Sequence, residues 1–254
     1  MERRHEFHDH HRRRSRDAAG SARELRSSRR SVESMNLEEL RQASSGCLAC
    51  PLANRRTHVV FGEGDHTSPL VLIGEGPGEN EDKMGRPFVG RSGQLLDRAL
   101  KEAGLERGQV YITNTVKCRA ADWSTGKPKN RPPTEEETRA CRQWLVPQLA
   151  LIAPKVILCI GAPSAKNIIK KNFAITKERG MYFPCEFAKT AIATLHPSYI
   201  LRQQSAGDDS GFPLLVADIK KAWEAAQRLA AGNKPEGVPE SPPNPGDDDQ
   251  KRLF

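Results

Sequence analysis

The stretch Pro69–Gly90, PLVLIGEGPGENEDKMGRPFVG, decides the fold class of this 254-residue chain. An uninterrupted apolar run, Pro69–Ile73, leads straight into a Gly/Pro turn with clustered carboxylates and a single aromatic, Phe88. A short run that is apolar at every position suits a strand buried on both faces of a parallel sheet, and ligands of such sheets bind outside the carboxyl ends of the strands. Glycines there let backbone N–H groups approach a flat polar ligand, so the turn is a candidate base or phosphate cradle. The G-x-G-x-G order lacks the G-x-x-G continuation of a dinucleotide fingerprint, and no Gly-Lys-Ser/Thr marks a P-loop. An ordinary strand-to-turn junction is the competing reading of this stretch taken alone.

Outward from it, the apolar runs Leu70–Gly74, Val110–Val116, Val156–Ile160 and Thr190–Leu195 read as strands. Between them, Leu95, Leu96, Ala99 and Leu100 give Ser92–Ala103 a helical spacing. Thr134 and Glu137 form a capping box that opens a helix through Trp144, Leu145, Leu149 and Ile152. Ala162–Ile169 and Leu214–Leu229 read as further helices. Strands alternating with helices predict an α/β fold with a mostly parallel sheet and helices on its faces. The polar segment Arg119–Pro133 reads as a loop long enough for a binding role or an insertion.

Residues 1–36 are rich in Arg, Ser and His and nearly free of large apolar side chains, so they are expected to form a disordered arm. Residues 232–254 begin Pro/Gly-rich and acidic, as a flexible tether does. One folded domain over residues 37–231 is left between them. The formal net charge of +8, concentrated in the arm and in Lys117–Arg131, points to a polyanionic partner, with nucleic acid leading and mere solubility as the alternative. No apolar run approaches the roughly 18 residues that span a membrane. The N-terminus lacks the apolar stretch of a secretory signal, and the acidic residues Glu2, Glu6, Asp9, Asp17 and Glu24 argue against a transit peptide. A cytoplasmic location is expected.

Six cysteines are present. Cys47 and Cys50 form a C-x2-C pair, and Cys118 and Cys141, flanking the long polar segment, are the natural completion of a four-thiolate site. Cys159, inside VILCIG, reads as an inert core residue. A structural zinc, an iron–sulfur cluster and a disulfide are all open on spacing alone, although a cytosolic location disfavours the last.

Taken together, GEGPGENEDKMGRPFVGRSGQLLD, YITNTVKC, NRPPT with Cys141, and LHPSYILR resemble the family 4 uracil-DNA glycosylases, the iron–sulfur type. The match runs in order from about Cys47 to Trp223. The resemblance implies a three-layer α/β/α sandwich with a central four-stranded parallel sheet, a [4Fe–4S] cluster on Cys47, Cys50, Cys118 and Cys141, and excision of uracil from DNA. A glycosylase must extrude its base and read the edge in a pocket. Phe88 would stack on the extruded ring, and the Asn114 amide would pair with uracil N3–H and O4 together, a pattern cytosine reverses. His196 would donate to O2 as the base departs as an anion. In relatives with a stronger water-activating residue, Asp or Asn occupies the position of Gly76, so the glycine implies no strong general base. Glu75 is then assigned to water positioning or oxocarbenium stabilisation. Glu81, whose counterpart crowds the C5 edge, is assigned to pocket shape. Arg202 is expected at the DNA face.

The segment CRAADWSTGKPKNRPPT departs from the family pattern by being extended, and its Trp123, Lys127, Lys129 and Arg131 interleave an aromatic with cations. The sequence closes on QKRLF, which resembles the peptide that docks bacterial repair proteins on the sliding clamp, with Gln250, Leu253 and Phe254 as anchors. The remaining expectations are a monomer, nucleoid-associated, acting on uracil-containing DNA without a membrane. Two alternatives stand beside turnover: a uracil-DNA-binding sensor or scaffold, and the superfamily type that traps DNA covalently through a His in a KRRIH-like insertion. Against the trapping type, this chain carries LRQQSAGDDSGF after HPSY, and Glu75 where that type carries Gln.

Overall fold

The computed structural model describes residues 35–124 and 126–239. The expected N-terminal arm lies outside them up to residue 34, as do Gln250, Leu253 and Phe254. The main sheet is built from β1 (Glu63–Gly64), β2 (Leu70–Gly74), β3 (Tyr111–Asn114), β6 (Val156–Ile160) and β7 (Thr190–Thr194), in the order β1-β3-β2-β6-β7. Two short strands, β4 (Ala121–Asp122) and β5 (Lys129–Asn130), form a separate antiparallel hairpin. Around the sheet lie α1 (Leu37–Ser45), α2 (Glu79–Met84), α3 (Arg91–Glu102), α4 (Glu135–Ile152), α5 (Ala162–Ile168), α6 (Ile175–Glu178), α7 (Pro197–Ser205) and α8 (Gly211–Ala230).

The sheet has five strands rather than the expected four. β2, β3, β6 and β7 pair in parallel, and β1 adds to the edge of β3 antiparallel, through Glu63↔Ile112 and Gly64↔Tyr111. Two residues, one of them a half-buried glutamate, carry no strand periodicity, which is why the edge was invisible in the sequence. The predicted strand Val110–Val116 is also trimmed to four residues. After Asn114 the chain leaves the ladder, with the Thr115 N–H donating to Gly74 O (2.9 Å) and the Val116 N–H to Glu75 O (3.1 Å).

Every residue of β2, β3, β6 and β7 is buried. Side chains alternate across the sheet, so each strand feeds two cores. Leu70, Leu72, Ile112, Leu158 and Ile192 pack on α3, α7 and α8, while Val71, Ile73, Tyr111, Ile157 and Ala191 pack on α4 and α5. At about 1.5–3 kcal/mol for each fully buried aliphatic side chain, these two layers carry most of the stabilisation of the sandwich. The strand order reverses beside β2, whose connection runs to β3 on one side while β6 and β7 lie on the other. That reversal opens a crevice at the carboxyl ends of the strands.

Candidate active site

Gly74 and Asn114 pair across β2 and β3 at that crevice. Asn114 is 2% exposed, and its Oδ1 has no hydrogen-bond partner among the described residues. An orphaned buried acceptor costs about 1–3 kcal/mol, so a site that keeps one is poised for a donor from outside. Gly74 makes the room: a Cβ there would sit 2.4 Å from Asn114 Oδ1 and 2.6 Å from Phe88 Cζ.

Phe88 is held in an unusual backbone conformation, with φ of +50°. Non-glycine residues seldom adopt this region unless their surroundings over-determine it. Three contacts do so. The Glu81 carboxylate accepts from the N–H groups of Val89 (2.9 Å) and Gly90 (2.8 Å), and Arg107 Nη2 donates to Pro87 O (2.6 Å). On the far side, Gly93 lets α3 approach so closely that a Cβ would lie 1.9 Å from Phe88 O. Glu81 also accepts from the Gly78 N–H (3.1 Å), closing the first turn of α2. This carboxylate therefore shapes the pocket from behind, by fixing the loop that carries Phe88.

His196 caps α7 just past the end of β7. Its Nδ1 accepts from the backbone N–H of Ser198 (3.0 Å) and lies 2.7 Å from Ser198 Oγ. A backbone N–H only donates, so Nδ1 holds a lone pair and the proton of the neutral ring sits on Nε2. Burial, reinforced by the charge of Arg202, lowers the His196 pKa from 6.5 to about 4, with Glu81 opposing. The ring is thus neutral at physiological pH. Its centroid lies 6.1 Å from that of Phe88.

These groups line one cleft of about 610 Å³. Its floor is Glu75–Gly78 with Asn114. One wall is the α7 face Ser198, Leu201, Arg202 and Ser205, and the other is Ala120, Asn130 and Arg131 at the base of the β4–β5 hairpin. Glu75 has no side-chain hydrogen-bond partner among the described residues, and burial raises its pKa above 4.5. Gly76 packs against β3's extension, where a Cβ would meet Val116 Cγ2 at 2.7 Å. Arg202 stands exposed on α7, at the mouth of the cleft.

Residues 61–227 match the model of the uracil DNA glycosylase superfamily. The chain is 46% identical over 177 residues to the type-4 uracil-DNA glycosylase of Thermotoga maritima, covering 69% of this chain and 87% of that one. It is 41% identical over 199 residues to the type-4 uracil-DNA glycosylase of Sulfurisphaera tokodaii, covering 75% and 85%. The chain belongs to the type-4 uracil-DNA glycosylases. A type-5 enzyme, from Thermus thermophilus, is 30% identical over 159 residues, covering 55% of this chain and 68% of that one.

In this glycosylase the four cysteines singled out above come from three parts of the fold and wall one small apolar cavity. Cys47 and Cys50 follow α1, Cys118 follows β3, and Cys141 lies in the second turn of α4. All are free thiols. Arg56 Nη1 points at Cys118 Sγ (3.8 Å) and donates to Cys47 O (2.6 Å), and the Lys117 N–H donates to Cys141 Sγ (3.2 Å). Such donors favour thiolates, whereas burial pushes the Cys118 thiol up to about 12 and also raises that of Cys141. No group of three or more His, Cys, Asp or Glu among the described residues closes around a single point as one ion requires.

Asn80, Arg91 and Asn130 of the glycosylase also line the cleft, beyond the residues expected from its sequence. None sits in an apolar pattern, and although all three fall within quoted motifs, nothing in the motifs singles them out. The basic segment Lys117–Arg131 is only partly a surface, because Lys117 and Arg119 are buried. Lys117 is 1% exposed, its Nζ donating to Thr113 Oγ1 (2.6 Å), Asn114 O (3.0 Å) and Gln148 Oε1 (2.6 Å). Arg131 is bound bidentately by Glu137 (2.7 and 2.8 Å). Closing the crevice should be costly to activity alone. Gly74→Ala is expected to reduce turnover by about 10²-fold, through displacement of Asn114 and Phe88, while the fold persists. Steady-state kinetics beside a melting curve would check it.

Proposed function

We propose that this protein is a DNA repair glycosylase that hydrolyses the N-glycosidic bond of deoxyuridine in DNA, releasing uracil and leaving an abasic site. The observation that carries this reading is the orphaned Asn114 Oδ1, buried at a strand end in the cleft that Phe88 and a neutral His196 also line. Oδ1 accepts from uracil N3–H while the amide nitrogen donates to O4. Phe88 stacks on the ring, worth about 1–3 kcal/mol. As the C1′–N1 bond breaks, its electron pair leaves with the base, and the His196 Nε2–H donates to O2 where that negative charge accumulates. Water then bonds to C1′ and gives up its proton to solvent, from which the departed uracil anion is neutralised. Glu75, ionised, stabilises the cationic sugar or orients the water, and Gly76 leaves the floor open beside it. Arg202 contacts phosphate at the cleft mouth.

The pH dependence follows from two groups. Release is expected to be level between about pH 6 and 8, without the ordinary histidine limb, and to fall in acid as Glu75 protonates above its usual range and His196 near 4. For stability the two groups oppose each other, because Glu75, raised by burial, costs stability as it ionises with rising pH. His196 is depressed in the fold, so its contribution is present above 6.5 and is lost as pH falls towards about 4. A single-turnover pH profile that loses its upper acid limb in Glu75→Gln is the result expected.

Cys47, Cys50, Cys118 and Cys141 line one apolar cavity, as the four thiolates of a [4Fe–4S] cluster would. The cluster would supply structural cross-linking of α1, β3 and α4. Sliding-clamp docking through Gln250, Leu253 and Phe254, a monomeric state and a nucleoid-associated cytoplasmic location complete the reading.

The test is catalytic. Substoichiometric protein is mixed with an oligonucleotide bearing one deoxyuridine, free uracil is counted, and the product is cleaved with alkali. Many uracils per protein and an alkali-labile strand are expected. Tight binding without release would favour the sensor.

A further inference from the structure

We propose that the β4–β5 hairpin is a second grip on DNA, taking the strand that flanks the extruded nucleotide along a strip running from Asn130 through Arg119 and Trp123 to Arg55. The proposal rests on the glycosylase reading, because that reading places DNA at the adjoining cleft. The hairpin is a built element. Ala121 pairs with Asn130 and Asp122 with Lys129, the Arg131 N–H donates to Ala120 O (3.0 Å), and Asp122 Oδ1 accepts from the Ser124 N–H (2.9 Å). Its root is fixed on both sides, by Ala120 packed with Cys118 and Leu52, and by Arg131 on Glu137.

Alternation along β4 and its flanks puts Arg119, Ala121 and Trp123 on one face. Arg119 Nε donates to Asn130 Oδ1 (2.8 Å), and its guanidinium carbon lies 5.8 Å from the centre of the Trp123 ring. Arg55, exposed on the loop after the Cys47–Cys50 pair, lies 5.5 Å from that same centre. Asn130 lines the cleft, so the strip begins at its rim. Trp123 is 40% exposed, an unusual place for the costliest apolar side chain to leave in water. Arg119 is 7% exposed and braces the ring from inside the fold, so the ring offers a nucleobase a face or edge to stack on while the exposed Arg55 offers its phosphate a cation. Across the cleft stands Arg202 on α7, so DNA would be held from both walls. Asp122, opposed by Lys129 and Arg131, is the only acidic residue on the hairpin strands.

The experiment uses the full chain and a duplex carrying one 2′-fluoro-deoxyuridine, which binds without being cleaved, beside single-turnover release from the deoxyuridine duplex at saturating protein. Trp123→Ala is expected to weaken binding about tenfold, as loss of a stacking platform does. Arg55→Ala is expected to weaken it less and to lower the salt slope by about one, as loss of a phosphate contact does. Release at saturation should stay within about twofold of wild type in both, a KM effect without a kcat effect. DNA should also quench tryptophan emission in the wild type and not in Trp123→Phe, a readout that a merely bracing Trp123 would leave unmoved. Unchanged affinity in both alanine variants, or quenching that persists in Trp123→Phe, would overturn the proposal. A wild type that binds through the strip and releases no uracil would overturn the glycosylase reading and leave the hairpin standing.

Discussion

Replacing Asn114 with alanine is expected to lower kcat/KM for uracil release by about 10²- to 10³-fold, the usual cost of one preorganised group that pairs with the reacting base in the transition state. The same substitution should leave the melting temperature unchanged or slightly raised. Asn114 Oδ1 bonds to nothing among the described residues, so the fold loses no hydrogen bond with it and sheds an unsatisfied buried acceptor. Its backbone carbonyl, which takes a hydrogen bond from Lys117, is untouched by the change. Kinetics and calorimetry on the same preparation check both halves. An inactive variant that is also several degrees less stable would mean the side chain braces the strand end instead of reading a base.

The second large effect is expected at the cysteine cavity. Cys118→Ala should strip iron and labile sulfide and cost at least about 3 kcal/mol of stability, on the order of 10 °C for a domain of this size. The argument is topological. Through the proposed cluster Cys118 would tie the strand that presents Asn114 to α4 and to the loop after α1, and Arg56 already joins the last of these to the segment after β3 through Ser45 O, Cys47 O and Cys118 Sγ. Loss of cluster should therefore loosen the hairpin that starts at Ala121 before it alters the chemistry at His196, past the end of β7. Iron and sulfide analysis with a melting curve measures it. A Cys118→Ala protein with full iron content would remove that residue from the ligand set.

How much of this was legible depended on whether the physics is local. β2 and β6 were readable to the residue because they are buried on both faces and so apolar at every position. The start of α4 was readable because Thr134 and Glu137 bond each other across three residues. Asn114 and His196 were readable as candidates because strand ends are where parallel sheets bind, whereas Gly74, which makes room between Asn114 and Phe88, was not singled out. The edge strand Glu63–Gly64 was not, since two residues have no period, and neither were α2 and α7, whose polar sequences hid under motifs. The role of Glu81 was half legible. Its capping position three residues after Gly78 is local, but its two hydrogen bonds to Val89 and Gly90 depend on a loop folding back. The proton on His196 Nε2 was in the sequence all along, in the serine two residues later, once the histidine is known to cap a helix. Lys117 could not be read at all, because nothing local tells a buried lysine from a surface one.

The most direct measurement compares single-turnover release from three otherwise identical duplexes carrying U·G, C·G and T·G. On the proposed reading Asn114 would pair only with a base that offers N3–H and O4 together, excluding cytosine, and the backbone-tied loop from Glu81 to Phe88 would exclude thymine's methyl, so uracil alone should be released, with an alkali-labile site left in the strand. Release of cytosine or thymine at a comparable rate, or a heat-stable protein–DNA adduct in place of free uracil, would contradict the account.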